Sequence, residues 1–183
     1  MNPTELLKEY RKAHTHPTMC LMPGNSIQRH TNEFVNFCYA YKPKTVLDYG
    51  CGKGLQWTQR ELHKEGNIHM PTLYDPGVPG LDKKPNGVYD SVLCTDVMEH
   101  IHQEECDAVL EEVFNYARHS VFFTISCNPA KKHFPDGTNY HVNCKPEEWW
   151  FATIKRLKPK HLKVWLIFPS FSGIIKYDKE ETR

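Results

Sequence analysis

Short apolar runs alternate with segments of helical spacing along the first two-thirds of the chain. In residues 26–41, for example, apolar side chains recur every three or four positions, so they would share one face of a helix. The intervening runs are short and rich in β-branched and aromatic residues, which indicates buried strands. We predict strands at 45–49, 71–75, 89–95 and 120–126, and helices at 4–14, 26–41, 55–64, 96–118 (as one or two pieces) and 146–157.

This alternation is typical of a parallel sheet that is covered by helices on both faces. Two further apolar runs, 161–168 and 172–177, flank a short turn and predict a closing antiparallel hairpin. We therefore expect a Rossmann-like α/β fold: a doubly wound, mostly parallel sheet in a three-layer sandwich. Since no repeat or linker interrupts the pattern, the 183 residues should form a single domain.

Composition narrows the class of protein. Lys and Arg number 23 against 22 Asp and Glu, and this balance argues against a dedicated nucleic-acid binder. The seven cysteines contain no C-x-x-C pair, which indicates a reduced, intracellular protein. No apolar run approaches the roughly 20 residues of a membrane span. We expect a soluble, cytoplasmic protein that does not bind membranes.

Residues 45–54, TVLDYGCGKG, carry the most specific chemical signal. A short strand meets the carboxylate of Asp48, and Gly50, Gly52 and Gly54 follow at alternate positions. In a parallel sheet this turn lies at the carboxyl ends of the strands, where ligands bind. Glycines let the main chain turn sharply and approach a ligand closely. The helix that follows is expected to present free N–H groups.

The spacing of this turn separates two ligand classes. A dinucleotide site uses G-x-G-x-x-G, but Leu55 stands where the third glycine would be. The carboxylate of Asp48 would repel a pyrophosphate, whereas it could bind an ammonium group through charge-assisted hydrogen bonds. A nucleoside ligand with an amino-acid end and no pyrophosphate is S-adenosylmethionine. An NAD-type oxidoreductase is therefore disfavoured.

These segments resemble the motifs of the class I S-adenosylmethionine-dependent methyltransferases. The stretch VLDYGCGKG matches the first motif, Asp75 the acidic second motif, and YDSVLCTDVMEHI and SVFFTIS the fourth and fifth strands. The resemblance implies methyl transfer from S-adenosylmethionine with S-adenosylhomocysteine as product. It also implies that Asp75 accepts hydrogen bonds from the two ribose hydroxyls of the cofactor. It implies cofactor binding by Asp48, Gly50, Cys51, Gly52, Gly54, Asp75, Pro76, Cys94 and Thr95.

One segment departs from the family pattern. The strand and helix that usually follow the second motif are replaced by residues 76–88, which are rich in Pro and Gly. The adenine would then be held by this loop, with Leu81 as a wall and Asp82 as a partner for the exocyclic amine. A plain solvent loop is the alternative.

Acidic and histidine side chains follow the third predicted strand. Asp96, Glu99 and His100 have the spacing of one helix face, and His141 in the polar loop 127–145 could close over them. In the first of three open interpretations, His100 or His141 is a general base. In the second, all four residues bind a divalent ion, an arrangement similar to metal-assisted O-methyltransferases. In the third, they only lock the turn. We take Asp96, His100 and His141 as candidate catalytic residues.

The methyl acceptor is not fixed by these motifs. The balanced charge favours a small molecule, methylated on oxygen or nitrogen. Alternatives are an RNA 2′-O-methyltransferase that uses a divalent ion, and a cofactor-binding partner subunit without activity. Within the domain we expect a helical lid at 1–44, with 14–26 over the cofactor, a cofactor-binding core at 45–126, and an acceptor-side loop, helix and hairpin at 127–183.

Overall fold

The computed structural model describes residues 1–15 and 22–168, together with the main chain of residues 174–177. Its strands form one sheet in the order β2-β1-β3-β4-β5-β6. Strands β1 to β5 are parallel, and β6 is antiparallel to β5. The strands are β1 (Val46–Tyr49), β2 (Thr72–Tyr74), β3 (Tyr89–Thr95), β4 (Ala117–Thr124), β5 (Lys163–Ile167) and β6 (Ile174–Tyr177).

Three of the predicted helices are interrupted in the structure. The expected helix at 26–41 is a 3₁₀ turn followed by an α-helix that begins at Thr31. The expected helix at 55–64 is two short helices, because Glu61 between them has a left-handed φ of 56°. The expected helix at 96–118 is two 3₁₀ turns and a shorter α-helix, and β4 already begins at Ala117. The α-helices are α1 (Pro3–Thr15), α2 (Thr31–Tyr41), α3 (Leu55–Thr58), α4 (Leu62–Glu65), α5 (Cys106–Tyr116) and α6 (Glu147–Leu157), and 3₁₀ turns lie at Ser26–His30, Met98–His100 and Gln103–Glu105.

Strand alternation divides the core between the two faces of the sheet. In β4, Val121 and Phe123 pack with residues of α5 and α6, whereas Phe122 packs with residues of α2, α3 and α4. This follows from the pleat, since successive side chains point to opposite faces. The three-layer, Rossmann-like α/β architecture is confirmed.

The closing hairpin remains a prediction. The antiparallel pairing of β6 with β5 is present in the main chain, but the turn at 169–173 lies outside the described residues. The same holds for residues 16–21 of the proposed lid. None of the helices in the described part of the chain has the length and apolar character that crossing a bilayer requires.

The strand order locates the site. The chain moves from β1 outward to β2 and then crosses to β3 on the other side of β1. In doubly wound sheets, this reversal opens a crevice outside the carboxyl ends of the strands. The turn after β1 therefore borders the expected ligand crevice.

Candidate functional site

A cavity of about 520 Å³ lies at the carboxyl ends of β1 and β3. Its size is within the range of small-ligand and cofactor pockets. Eight of the sequence-predicted site residues line it: Gly50, Gly52, Asp75, Pro76, Thr95, Asp96, His100 and His141.

Two glycines of the turn are required by close packing. Gly50 has a φ of +75°, and a Cβ there would lie 2.3 Å from Cγ2 of Val97. Gly52 has a φ of +54°, and a Cβ there would lie 2.6 Å from the carbonyl oxygen of Met22. Glycine is the residue that adopts this conformation without steric cost. The turn is thus enclosed by two neighbouring segments as well as facing the cavity.

The helix after the turn does not offer the free N–H groups that the sequence predicted. The N–H groups of Leu55 and Gln56 donate to the carbonyl oxygens of Pro23 and Gly24, at 3.0 Å each. Residues 22–25 therefore satisfy the start of α3, and a ligand has to use other groups. This segment also lines the cavity, as expected for part of the predicted lid.

Asp75 is held beside the glycine turn. Its Oδ2 accepts a hydrogen bond from the N–H of Gly52 at 2.8 Å, and its Oδ1 accepts one from the N–H of Gly77 at 2.8 Å. Each carboxylate oxygen has a second lone pair. Asp75 is thus oriented by the main chain and still able to accept hydrogen bonds from hydroxyl groups of a ligand.

Asp48 does not line the cavity, which corrects the predicted direct contact with an ammonium group. Its side chain is fully buried, and Oδ2 accepts hydrogen bonds from Nε1 of Trp57 at 2.6 Å and Nε2 of Gln56 at 3.2 Å. Burial raises the pKa of the carboxyl to about 6. Asp48 therefore fixes α3 against β1 from below the turn.

Other residues that were predicted to contact the cofactor also lie outside the cavity wall. Cys51, Gly54 and Cys94 do not line the cavity, and both cysteines are buried. Leu81 and Asp82 lie away from it too, and Asp82 pairs with Arg11 at 3.7 Å. The loop 76–88 contributes only its first two residues to the cavity wall, so the proposed roles of Leu81 and Asp82 with adenine are not supported.

Helix α1 forms part of the cavity wall. It lies within the helical lid predicted at 1–44, although none of its side chains was predicted to be a site residue. Its cavity-facing residues Pro3, Leu6, Leu7, Tyr10 and His14 have helical spacing, which indicates a common face but not the surface that this face covers. His14 is buried beside Asp75, with Nε2 3.8 Å from Oδ1. Burial lowers the pKa of His14, against an opposing attraction to Asp75.

Asp96 is occupied by protein partners. Its φ of 53° takes it off the helical path, so the predicted common helix face with Glu99 and His100 is absent. Oδ1 accepts a hydrogen bond from Oγ1 of Thr124 at 2.7 Å, and Oδ2 pairs with the guanidinium of Arg29. Arg29 was not predicted, and it places a positive charge at the cavity.

Glu99 is fully buried and only partly satisfied. Its Oε1 accepts a hydrogen bond from the N–H of Ser126 at 3.1 Å, while Oε2 has no hydrogen-bond partner within the described part of the chain. Burial, reinforced by the charge of Asp96, raises the pKa of Glu99 well above its usual range. An unpartnered buried carboxyl oxygen is costly unless a ligand or ion satisfies it.

His100 and His141 have the same arrangement of ring nitrogens. Nδ1 of His100 lies 2.9 Å from the carbonyl oxygen of Tyr140, and Nδ1 of His141 lies 2.6 Å from that of Asn128. A carbonyl oxygen only accepts, so each Nδ1 donates and each Nε2 keeps its lone pair when the ring is neutral. Burial, followed by the charge of His141, lowers the pKa of His100 to about 4.

Three side chains come together as a candidate metal centre. One donor atom from each of Glu99, His100 and His141 lies within 4.8 Å of the other two. The predicted approach of His141 to His100 is present, with ring centroids 4.9 Å apart. Asp96 is not in this group.

Comparison with known proteins identifies the family. A family model described as a methyltransferase domain matches residues 25–165, well over half of the chain. No curated protein and no solved structure matches the sequence of this protein. The chain therefore belongs to this methyltransferase family, which confirms the resemblance to the class I S-adenosylmethionine-dependent methyltransferases.

Proposed function

We propose that the protein transfers a methyl group from S-adenosylmethionine to an oxygen or nitrogen atom of a small molecule. The observation that carries this proposal is the position of Asp75, whose carboxylate borders the cavity beside the glycine turn after β1. A carboxylate in this place can accept hydrogen bonds from two neighbouring hydroxyl groups. Family membership supports the reaction type.

The residues present are compatible with the cofactor. The volume of about 520 Å³ is in the range for a nucleoside ligand. The wall combines apolar side chains such as Leu6, Ile101 and Val109 with the polar groups of Asp75 and Thr95. Apolar surface would cover the base, and the polar groups would orient the sugar and the aminoacyl end.

Methyl transfer depends mainly on alignment. Bound S-adenosylmethionine would supply an activated methyl group. The acceptor's lone pair would form the new bond to the methyl carbon as the carbon–sulfur bond breaks, and the sulfur of the departing S-adenosylhomocysteine would keep the electron pair. The walls contributed by α1 and the 3₁₀ turn at Met98–His100 would hold the two reactants in line and exclude water. The acceptor proton leaves to a base or to solvent.

For the histidine cluster, we infer that a divalent ion is held by Glu99, His100 and His141. A histidine with a pKa of about 4 is a weak general base near pH 7. Nε2 lone pairs backed by Nδ1–H···O=C hydrogen bonds are the usual arrangement of metal-binding histidines. An ion there would acidify an acceptor hydroxyl. The unpartnered Oε2 of Glu99 favours this interpretation over a purely structural one.

Calorimetry with S-adenosylhomocysteine tests the proposal. We expect wild-type protein to bind it and not NAD, and Asp75→Asn to weaken binding by about tenfold or more, since one acceptor becomes a donor. Asp82→Asn is the matched control, because Asp82 lies nearby but outside the cavity. Folded wild-type protein that binds only NAD, or neither ligand, would overturn the proposal. Binding without transfer to any acceptor would favour a non-catalytic partner subunit.

A further inference from the structure

A second cavity, of about 420 Å³, adjoins the first. The two cavities share Met22, Arg29, His100 and His141. The histidine cluster therefore stands between them. If the first cavity holds the methyl donor, then the second is the space from which an acceptor reaches the same cluster.

The second cavity has a basic lining. Among the residues that the structure describes, its remaining wall is formed by Pro129, Ala130, Lys131, Lys132 and Tyr140, and none of these carries a carboxylate. Arg29 is paired with Asp96, but no salt bridge among the described residues reaches Lys131 or Lys132. Both lysines are exposed. Two cationic side chains in the wall of one small cavity, without a salt-bridge partner among the described residues, favour a negatively charged ligand.

The loop that carries the lysines is held in a defined shape. Oδ1 of Asn139 accepts hydrogen bonds from the N–H groups of Ala130 and His141, at 2.9 Å each. The N–H of Tyr140 donates to the carbonyl oxygen of Lys132 at 3.1 Å. The same loop thus positions His141 at the cluster and the two lysines at the second cavity.

We propose that the acceptor is a small anionic molecule, whose phosphate or carboxylate group is bound by Lys131 and Lys132 while its reacting atom lies at His100 and His141. This proposal rests on the proposed methyl transfer. The volume of the second cavity is in the range for a small ligand. Phosphate and carboxylate groups are both negatively charged, so the experiment has to distinguish which of them the site binds.

The test is calorimetry with inorganic pyrophosphate and, separately, with citrate, in buffer containing EDTA so that no metal mediates binding. We expect at least one of these anions to bind the wild-type protein. Binding of pyrophosphate alone would indicate a phosphate group on the acceptor, and binding of citrate alone would indicate a carboxylate group. The double variant Lys131→Glu/Lys132→Glu should weaken binding by about tenfold or more. Lys155→Glu/Lys160→Glu is the charge-matched control, since both lysines are exposed and line neither cavity. They precede the amino end of β5, whereas Lys131 and Lys132 follow the carboxyl end of β4.

The outcomes separate this proposal from the function it rests on. Failure of both anions to bind wild-type protein, or equal losses in the two double variants, would overturn the anionic acceptor. A short RNA that displaces the anion and binds far more tightly would overturn the small-molecule class. S-adenosylhomocysteine binding, measured on the same samples, should be unchanged by Lys131→Glu/Lys132→Glu. Its absence in wild-type protein would instead reject the proposed methyl transfer.

Discussion

His100 and His141 face each other with ring centroids 4.9 Å apart and planes at 83°, and the Nδ1 atom of each lies against a main-chain carbonyl oxygen. The two carbonyl groups select the same tautomer in both rings. They thereby leave an Nε2 lone pair on each neutral ring, and the two histidines lie in one cluster with the buried carboxyl of Glu99. Two histidines with a purely structural packing role would not require hydrogen bonds that fix the tautomer of both rings.

Removal of one ring should reduce metal affinity. We expect wild-type protein to bind Co²⁺ with visible absorption bands, and His141→Ala to lower the affinity by at least about tenfold. His69→Ala is the control, because His69 is exposed and lies before β2. Equal affinity of His141→Ala and wild-type protein would refute the metal centre.

Metal binding should release a proton from Glu99. Burial raises the pKa of this carboxyl, so it is protonated over more of the acidic range than an exposed glutamate and must ionise to bind a cation. Affinity should therefore rise with pH. Calorimetry in buffers of different ionisation enthalpy measures the released proton. Glu99→Gln should abolish both the release and the binding, whereas a folded variant that keeps both would show that Glu99 is structural.

The glycine turn should tolerate no side chain at Gly52. In Gly52→Ala, the Cβ would meet the carbonyl oxygen of Met22 at 2.6 Å in a left-handed conformation, and we expect a loss of several kcal/mol, roughly 3 or more. Gly80→Ala has a similar positive φ but nothing within 4 Å of the added Cβ. It should cost only about 1 kcal/mol of backbone strain. Urea unfolding measures both, and equal losses would contradict the steric argument.

The hydroxyl of Tyr10 should stabilise the docking of α1. It donates to the carbonyl oxygen of Tyr140 at 2.6 Å and lies 2.9 Å from Nδ1 of His100. We expect Tyr10→Phe to lower the free energy of unfolding by about 1 kcal/mol. Tyr39→Phe should have no effect, since Tyr39 is 79% exposed. A Tyr10→Phe protein as stable as wild type would show that this contact contributes nothing to docking.

Asp48 should make stability depend on pH. Its folded pKa of about 6 lies above the ordinary value of 3.8. A raised pKa contributes stability that is present below about pH 4 and is lost as the pH rises through about 6, here about 3 kcal/mol in total. The stability of Asp48→Asn relative to wild type should therefore increase over this interval. Chemical unfolding at several pH values measures the difference, and a constant difference would contradict the shift.

Local patterns predicted which segments form the sheet better than where each strand ends. Strand β3 was predicted over its observed length, residues 89–95, since the Pro- and Gly-rich segment 76–88 ends before it and Asp96 follows it. Strand β4 was predicted at 120–126 but spans Ala117–Thr124. The single helix predicted at 55–64 was wrong, because Glu61 adopts a left-handed conformation that divides it into two short helices. Non-glycine residues rarely adopt a positive φ, so helical periodicity does not signal such a break.

The site was predicted in part, for related reasons. Asp75, Gly50 and Gly52 follow strand ends, so the topology brings them to the cavity, whereas Gly54 lies outside its wall. Asp48 was misassigned although the pleat gave a signal: Leu47 and Tyr49 pack toward α5 and α6, so Asp48 must point to the opposite face. The wall formed by α1 required knowledge of which surface its apolar stripe covers. Periodicity does not supply that.

The position of α1 makes one helix a reporter for the whole site. Any occupant of the main cavity would touch this helix, and the helix reaches the body of the protein through neighbouring contacts, such as Arg11 with the carbonyl oxygen of Pro76 at 2.9 Å. Undocking of the helix and departure of an occupant are therefore thermodynamically linked. Amide hydrogen exchange in residues 3–15 would slow in proportion to occupancy, so affinities could be ranked across a chemical library before any turnover is known.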